Sequence, residues 1–250
     1  MGVYSDNLQE EVRLQYMRPE QVEEARKRCP AIYVPFGSIE WHGYHNPVGL
    51  DAIKAHEQLV GLAARAGGVV YPAVFFGSGG GHTDWPSTYM VSPEPMIQIV
   101  TELLQGFELR GYKNVVLLSG HYPNRYQYQD AAAKRYADAG GTMRVLSLIE
   151  HQAPGVGGDH AAQFETSFML HLHPRTVSLE RLAAPPDRES DFGDGKGNWM
   201  DAQYVGHPCY GLVGTDPRGR ATAEIGRANT ESLIGFLQDW LREPAGARSI

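Results

Sequence analysis

Acidic and imidazole side chains lie close together in one short segment of this chain. Glu40, His42 and Asp51 occur among glycine and proline residues, directly after an apolar run. Carboxylate oxygens and imidazole nitrogens are the groups with which proteins bind zinc, manganese and iron. Glu40 and His42 can both reach a metal only if the backbone turns, and Gly43 permits such a turn. The segment therefore predicts a metal site, although Asp51 alone could instead cap the helix that follows.

Three further residues could join this site from distant parts of the chain. His121 follows the apolar run Val-Val-Leu-Leu-Ser-Gly, and His160 and Glu165 share a later motif. Each has a simpler structural interpretation: His121 as a hydrogen-bonding residue at a strand end, His160 as a helix cap, and Glu165 as a solvated side chain. On a helix, the side chains of His160 and Glu165 would point about 140° apart around the helix axis. They would therefore flank one pocket only if His160 precedes the helix.

Glycine and histidine also occur together outside these motifs. Residues 79–81 are glycines and precede His82, but no Gly-Lys-Ser/Thr sequence follows, which argues against a phosphate-binding P-loop. The glycines instead indicate a loop that folds closely over a site. His171 and His173 are two positions apart on a predicted helix, and we interpret them as surface residues.

The order of secondary-structure elements predicts an α/β fold. Hydrophobic periodicity and glycine or proline stops predict helices at 19–26, 52–65, 93–109, 126–139, 160–172 and 221–241, strands at 31–36, 69–76, 114–119 and 143–149, and loops at 77–91 and 184–218. Alternating strands and helices indicate a mostly parallel central sheet between two helix layers, which is a three-layer α/β/α sandwich. We interpret residues 1–250 as a single domain.

This topology would bring the candidate ligands together. Glu40 and His42 follow the first predicted strand, and His121 follows the third. In open α/β sheets, sites form beyond the carboxyl ends of the strands. Residues that are far apart in sequence are therefore expected on one edge of the sheet.

Composition argues against several classes of protein. The chain is 42% hydrophobic and 20% charged, with a formal net charge of −7, which disfavours nucleic acid or an anionic membrane as its main partner. Cys29 and Cys209 form neither a CxxC pair nor a disulfide framework. The sequence contains no apolar run of about 18 residues and no N-terminal apolar signal core. We therefore expect a cytoplasmic protein.

Taken together, the motifs resemble those of the creatininase family of metal-dependent amidohydrolases. The family pattern Glu-x-His-Gly-x-His-x-Pro-x-x-x-Asp is matched by residues 40–51. Four further matches follow in the family's order: His82 with Trp85-Pro86-Ser87-Thr88, Gly120-His121 with Asn124, His160-Ala161 with Glu165-Thr166-Ser167, and Gly214-Thr215-Asp216-Pro217 with Ala221-Thr222-Ala223-Glu224. The resemblance extends from about residue 31 to residue 240.

The resemblance implies a creatininase-like site with two divalent metal ions (Zn, Mn or Fe). Its ligands would be a bridging Asp51 together with Glu40, His42, His121 and Glu165. Two ions a few ångströms apart can hold a hydroxide and polarise a carbonyl group.

The same resemblance implies which groups handle the substrate. His160 would be the acid–base residue for the leaving group, Glu165 would be a ligand or a catalytic residue, and Tyr122, His82 and Ser87 would contact a small-molecule substrate. The implied activity is hydrolysis of a cyclic amide or a related C–N bond. Hydrolytic C–C cleavage of a cyclic diketone derived from a sugar or inositol, and a metal-binding protein without turnover, are the alternatives. The family also implies a homo-oligomer, expected to be a hexamer.

Two positions depart from the pattern of creatininases proper. Those enzymes carry a metal-binding glutamate two residues after the third-strand histidine, where this chain has Pro123. Their lid tryptophan lies four residues before the motif histidine, where this chain has Val156. The first departure makes Glu165 the expected ligand of the second ion, and the second argues against creatinine as the substrate.

Overall fold

A computed structural model describes residues 2–182 and 196–244 of the chain. The α-helices are α1 Pro19–Arg28, α2 Leu50–Ala66, α3 Pro93–Leu109, α4 Asp130–Asp138, α5 Gln163–Leu172 and α6 Ala223–Arg242. The β-strands are β1 Ala31–Phe36, β2 Val69–Val70, β3 Asn114–Ser119, β4 Arg144–Ile149, β5 Lys196–Asn198 and β6 Val213–Thr215. Within the described residues, no helix combines the length and the apolar character that crossing a membrane requires.

The central sheet is parallel, and three of its four strands end at one level. Its strand order is β2-β1-β3-β4, and all three neighbouring pairs are parallel. Phe36, Ser119 and Ile149 are the last residues of β1, β3 and β4, and they lie in register. The segments that follow these strands therefore leave the sheet side by side.

Helices cover both faces of this sheet. Side chains alternate along a strand, so Tyr33 and Val116 pack in one core with α2, α5 and α6, whereas Ile32 and Val115 pack in a second core with α1, α3 and α4. Every residue of β1 is buried, which is the pattern of a parallel strand covered on both faces. The predicted α/β fold, with a mostly parallel sheet between helix layers, is confirmed.

The second strand is much shorter than the predicted 69–76. Strand pairing ends at Val70, and Pro72 lies just beyond it without an N–H group to donate. The chain nevertheless continues beside β1, because the N–H of Val74 donates to the carbonyl of Pro35 at 2.9 Å. The segment is therefore an irregular extension of the sheet edge.

The helix predicted at 160–172 begins three residues late, at Gln163. Ala161 has a φ of 52°, in the left-handed region that interrupts a helix. His160 precedes this turn and exchanges two backbone hydrogen bonds with Val213, at 2.8 and 3.0 Å. This is the arrangement that allows His160 and Glu165 to approach one site.

The predicted loop region 184–218 contains a small sheet. Strands β5 and β6 pair in antiparallel fashion, with Gly197 opposite Gly214. Residues 184–195 of the predicted loop lie outside the described part of the chain. His171 and His173, which we expected at the surface, are instead partly buried.

Two glycines allow the strand ends to approach the start of α2. A Cβ atom on Gly120 would lie 2.2 Å from the carbonyl oxygen of Asp51, and one on Gly37 would lie 2.1 Å from the backbone nitrogen of Ala52. Both distances are too short for a real carbon atom. The first turn of α2, with Asp51, therefore packs directly against the ends of β1 and β3.

We expect Gly120→Ala to lower the free energy of unfolding by about 2–3 kcal/mol, because the new methyl group must push the first turn of α2 away. Divalent-cation binding should weaken at the same time, since Asp51 moves. Gly106→Ala is the matched control: Gly106 lies within α3, and its Cβ would meet nothing within 4 Å. The free energy of unfolding of this control variant should rise by up to about 1 kcal/mol. Urea denaturation measures the free energy of unfolding of both variants. Equal values for Gly120→Ala and Gly106→Ala would contradict the packing argument.

Candidate metal centre

Five predicted ligands come from four places in the fold and meet beyond the carboxyl end of the sheet. Glu40 and His42 lie between β1 and α2, Asp51 lies in the first turn of α2, His121 follows β3, and Glu165 lies in the first turn of α5. All five side chains are buried. Buried charges require a partner of opposite charge or a metal ion.

One group of ligand atoms surrounds Nδ1 of His121. Glu40 Oε2 lies 2.7 Å and Asp51 Oδ2 lies 3.4 Å from this nitrogen. The hydroxyl of Ser38 donates to the same oxygen of Asp51 at 2.6 Å. Ligand atoms of Glu40, Asp51 and His121 all lie within 4.8 Å of one another, so they could share one cation.

A second group surrounds Nε2 of His42. Asp51 Oδ1 lies 3.1 Å and Glu165 Oε2 lies 3.7 Å from this nitrogen. Asp51 thus presents one oxygen to His42 and the other to His121. A carboxylate in this position could bridge two cations.

Backbone carbonyl groups fix the orientation of these imidazole rings. His42 Nδ1 lies 3.0 Å from the carbonyl oxygen of Glu40, and His121 Nε2 lies 3.2 Å from that of Gly79. A carbonyl oxygen only accepts, so each of these nitrogens carries its hydrogen there. The opposite nitrogen of each ring then faces the carboxylates with its lone pair when the ring is neutral. Metal-binding histidines are commonly held in this way.

The charges in the cluster shift the pKa values of its members. Burial alone would lower the pKa of His42 and His121, but the neighbouring carboxylates of Asp51 and Glu40 raise these values to about 9 and about 10. Burial alone would raise the pKa of Glu40 and Asp51. However, His121 and His82 hold the pKa of Glu40 well below its usual range, and His42 and His121 do the same for Asp51. The cluster therefore attracts positive charge, and a cation that binds there must displace protons.

Ligand atoms of His160, His42 and Glu165 lie within 4.8 Å of one another, and His160 and His82 lie side by side next to the cluster. Their rings are stacked with centroids 4.0 Å apart, and the His160 ring lies 4.7 Å from that of His42. His160 Nε2 donates to the carbonyl of Trp41 at 2.9 Å. Burial and the nearby His42 lower the pKa of His160 to about 3. Its ring is therefore neutral at neutral pH, with a lone pair on Nδ1.

A cavity of about 620 Å³ opens onto these groups. Its lining includes Glu40, Asp51, His82, His121, Tyr122, His160 and Glu165. The hydroxyl of Tyr122 is buried and, among the described residues, has no hydrogen-bond partner, so it could serve a bound molecule. Ser87, the remaining predicted substrate contact, is exposed and is not part of this lining.

Sequence reasoning missed three residues at this site. His151 follows β4 as His121 follows β3, and it lines the cavity, so the strand-end rule could have identified it. Asp159 accepts the backbone N–H groups of Phe164 and Glu165 at 2.7 and 3.1 Å, and burial raises its pKa to about 7. Lys54 is fully buried on α2; as a lone lysine in an amphipathic helix, it gave no sequence signal.

Comparison with known proteins identifies the family. A sequence model of the creatininase family, described as creatinine amidohydrolase, matches residues 15–241. The chain belongs to the creatininase family. Named relatives in this family are hydrolases, and so is this chain.

Three curated relatives show the range of activities in the creatininase family. The chain is 31% identical to 3-dehydro-scyllo-inosose hydrolase of Thermotoga maritima, over 94% of this chain and 86% of that protein. It is 28% identical to creatinine amidohydrolase of Pseudomonas putida, over 62% of this chain and 69% of that protein. A mycofactocin precursor peptide peptidase of Mycobacterium ulcerans is also related, at 27% identity over 62% of this chain and 63% of the peptidase.

Solved creatininase structures share the fold. A crystal structure of creatinine amidohydrolase superposes with a TM-score of 0.73 at 22% identity, covering 93% of this chain and 97% of the other. A creatininase described as the Mn form gives a TM-score of 0.73 at 23% identity, covering 93% and 98%. Another solved form is described as Zn-Zn.

Ser87 allows a direct test of backbone strain near the site. Its φ of 58° lies in the left-handed region, where glycine is unstrained. We expect Ser87→Gly to raise the free energy of unfolding by about 0.5–1 kcal/mol. Ser232→Gly, at an exposed position within α6, should instead lower it by about 0.5–1 kcal/mol. Thermal denaturation compares the two. A loss of turnover in Ser87→Gly would support the predicted contact of Ser87 with the substrate.

The buried His45 predicts a pH-dependent stability. Burial and the nearby His42 lower its pKa from 6.5 to about 3. Between these values the unfolded chain binds a proton that the folded chain does not, so this contribution to stability is complete above pH 6.5 and is lost as the pH falls towards 3. The His45→Gln variant lacks this pH-dependent contribution to stability. The wild-type free energy of unfolding should therefore fall more steeply than that of the variant, by about 1.4 kcal/mol per pH unit. Urea titrations at several pH values measure both slopes, and parallel curves would exclude a neutral buried His45.

Proposed function

We propose that this chain is a hydrolase with two divalent metal ions. Glu40, Asp51 and His121 would hold one ion, and His42, Asp51 and Glu165 would hold the other. The observation that carries this proposal is the position of Asp51, whose Oδ1 lies 3.1 Å from His42 and whose Oδ2 lies 3.4 Å from His121. Mixed carboxylate and imidazole ligands suit Zn, Mn and Fe alike.

When bound, such ions lower the pKa of water and polarise a substrate carbonyl group. The residues of the chain supply the remaining steps. Nδ1 of His160 accepts a proton as water is consumed and returns it to the departing atom of the substrate. The carbonyl of Trp41 holds the His160 ring in the required orientation, while the buried hydroxyl of Tyr122 is available to orient the substrate.

The substrate that we propose is a small cyclic carbonyl compound, which hydrolysis opens. In a cyclic amide the leaving atom is nitrogen, and it takes the proton from His160. Val156, rather than an aromatic residue, lines the cavity at the position of the creatininase lid, which argues against creatinine itself.

A specific observation favours a second candidate, the hydrolytic C–C cleavage of a polyhydroxylated cyclic diketone. The relative named 3-dehydro-scyllo-inosose hydrolase matches nearly the whole chain, 94%, whereas the creatinine amidohydrolase of Pseudomonas putida matches 62%. The polar side chains of His151 and Asp159 also line the cavity, and they suit a substrate with hydroxyl groups. In this reaction the proton from His160 would reach a carbon atom.

Metal content and product mass test both candidates. We expect protein reconstituted with Mn²⁺ or Zn²⁺ to contain close to two ions per chain. A screen of cyclic amides and oxidised inositols should yield a product heavier by one water, and its structure identifies the broken bond. A protein that binds no ion would overturn the proposal, and binding without turnover of any ring compound would favour the metal-binding alternative.

The His160→Ala variant tests the proton transfer separately. It should keep both ions but lose about 10²–10⁴-fold in kcat, because the acid–base group is gone. His171→Ala is a matched control, since His171 lies in the last turn of α5 and does not line the cavity. Steady-state kinetics with metal analysis compares the variants; wild-type turnover in His160→Ala would remove this residue from the mechanism.

A further inference from the structure

A buried lysine lies directly behind the candidate metal centre. Lys54 is one helical turn after Asp51 on α2, and its side chain is completely inaccessible to solvent. Its ammonium nitrogen Nζ lies 2.6 Å from Glu165 Oε1 and 2.7 Å from Glu150 Oε2. Lysine is rarely buried unless it is paired, so this arrangement calls for an explanation.

Lys54 does not act on the substrate directly. It is not part of the cavity lining, whereas Glu165 is. The Nζ atom lies 5.2 Å from the centroid of the Tyr122 ring and 5.7 Å from that of Phe168. These aromatic rings help to enclose the ammonium group, and its influence reaches the site through Glu165.

The two oxygens of Glu165 have different partners. Oε1 binds Lys54, while Oε2 accepts the N–H of Ala161 at 2.6 Å and faces His42 Nε2 at 3.7 Å. The left-handed turn at Ala161, with φ 52°, places its N–H there. Lys54 and Ala161 together therefore hold the carboxylate with one oxygen directed at the second group of ligand atoms.

Glu150 also contacts the ammonium group of Lys54, so Lys54 does not face Glu165 alone. One ammonium group faces two carboxylates, so Lys54 and Glu150 can balance each other. If Lys54 faced Glu165 alone, it would cancel the negative charge that a metal ion needs. Around His42 Nε2, Glu165 is the carboxylate that accompanies Asp51 among the described residues, so the second ion depends on Glu165.

We propose that Lys54 and Glu150 form a buried positioning pair that sets the affinity of the second metal ion by fixing Glu165. This inference rests on the proposed function, because it assumes that Glu165 is a ligand. The proposed ligands of the first ion are Glu40, Asp51 and His121. Glu165 is not among them, so the pair does not act on the first ion through Glu165. Loss of the pair should therefore affect the two ions unequally.

The test removes both charges at once, with Lys54→Met combined with Glu150→Gln. Removing Lys54 alone would leave buried carboxylates without their cation, whereas removing an entire buried pair is often tolerated. Apoprotein is titrated with Mn²⁺ by calorimetry, and electron paramagnetic resonance distinguishes a coupled ion pair from a single ion. We expect the tighter ion to remain and the affinity of the second ion to fall about 10–100-fold, as for other groups that orient ligands.

A control on the same helix accounts for general destabilisation. Arg65 in α2 pairs with Glu231 in α6 at 2.5 Å, and neither residue lines the cavity. Arg65→Met with Glu231→Gln should leave both ion affinities within about twofold of wild type. If the methionine variant of Lys54 does not fold, Lys54→Gln with Glu150→Gln keeps hydrogen-bonding groups in place and tests the same contact.

The outcomes separate this inference from the proposed function. A folded variant that binds both ions with wild-type affinity would overturn the positioning role while leaving the two-metal hydrolase intact. Equal weakening of both ions would also overturn it, because the effect would then be structural. If wild-type protein binds fewer than two ions, the proposed function fails and this inference fails with it.

Discussion

Negative charge is concentrated in a buried part of this protein, and the surrounding groups must compensate it. Glu40, Asp51 and Glu165 approach each other beneath the cavity, each at most 2% exposed. Carboxylates cannot remain charged there without compensation. The structure supplies it through His42 and His121. A site that raises imidazole pKa values to about 9 and about 10 is one that would also favour divalent cations.

The fold meets this constraint with rigid elements and backbone groups. The strands β1, β3 and β4 end in register, so the segments that follow them converge. Gly120 lets the start of α2 approach within a distance that any side chain would prevent. Backbone carbonyls hold the imidazole rings, and the strained backbone at Ala161 directs an N–H at Glu165. Such strain is typical of functional sites, where surrounding structure maintains it.

Much of the fold could be predicted because local patterns and tertiary packing agree. β1, β3 and α3 begin and end at the predicted residues, since their apolar runs and glycine or proline stops are unambiguous. Predictions were wrong where single residues changed the backbone: β2 ends before Pro72, and α5 begins after the left-handed Ala161. The single domain, the homo-oligomer and the role of each site residue stay predictions.

The family, the parallel α/β architecture and the kinds of ligand could be predicted from the amino-acid sequence, because motif spacing and strand ends encode them locally. The three-dimensional structure was needed to show which oxygen of Asp51 faces which histidine, since this depends on how α2 packs against the strand ends. It also decided that Lys54 lies behind Glu165. A lysine on a helix carries no local sign of its partners. Lys54 and Glu165 are 111 positions apart in the sequence, and the packing of α2 against α5 brings them together.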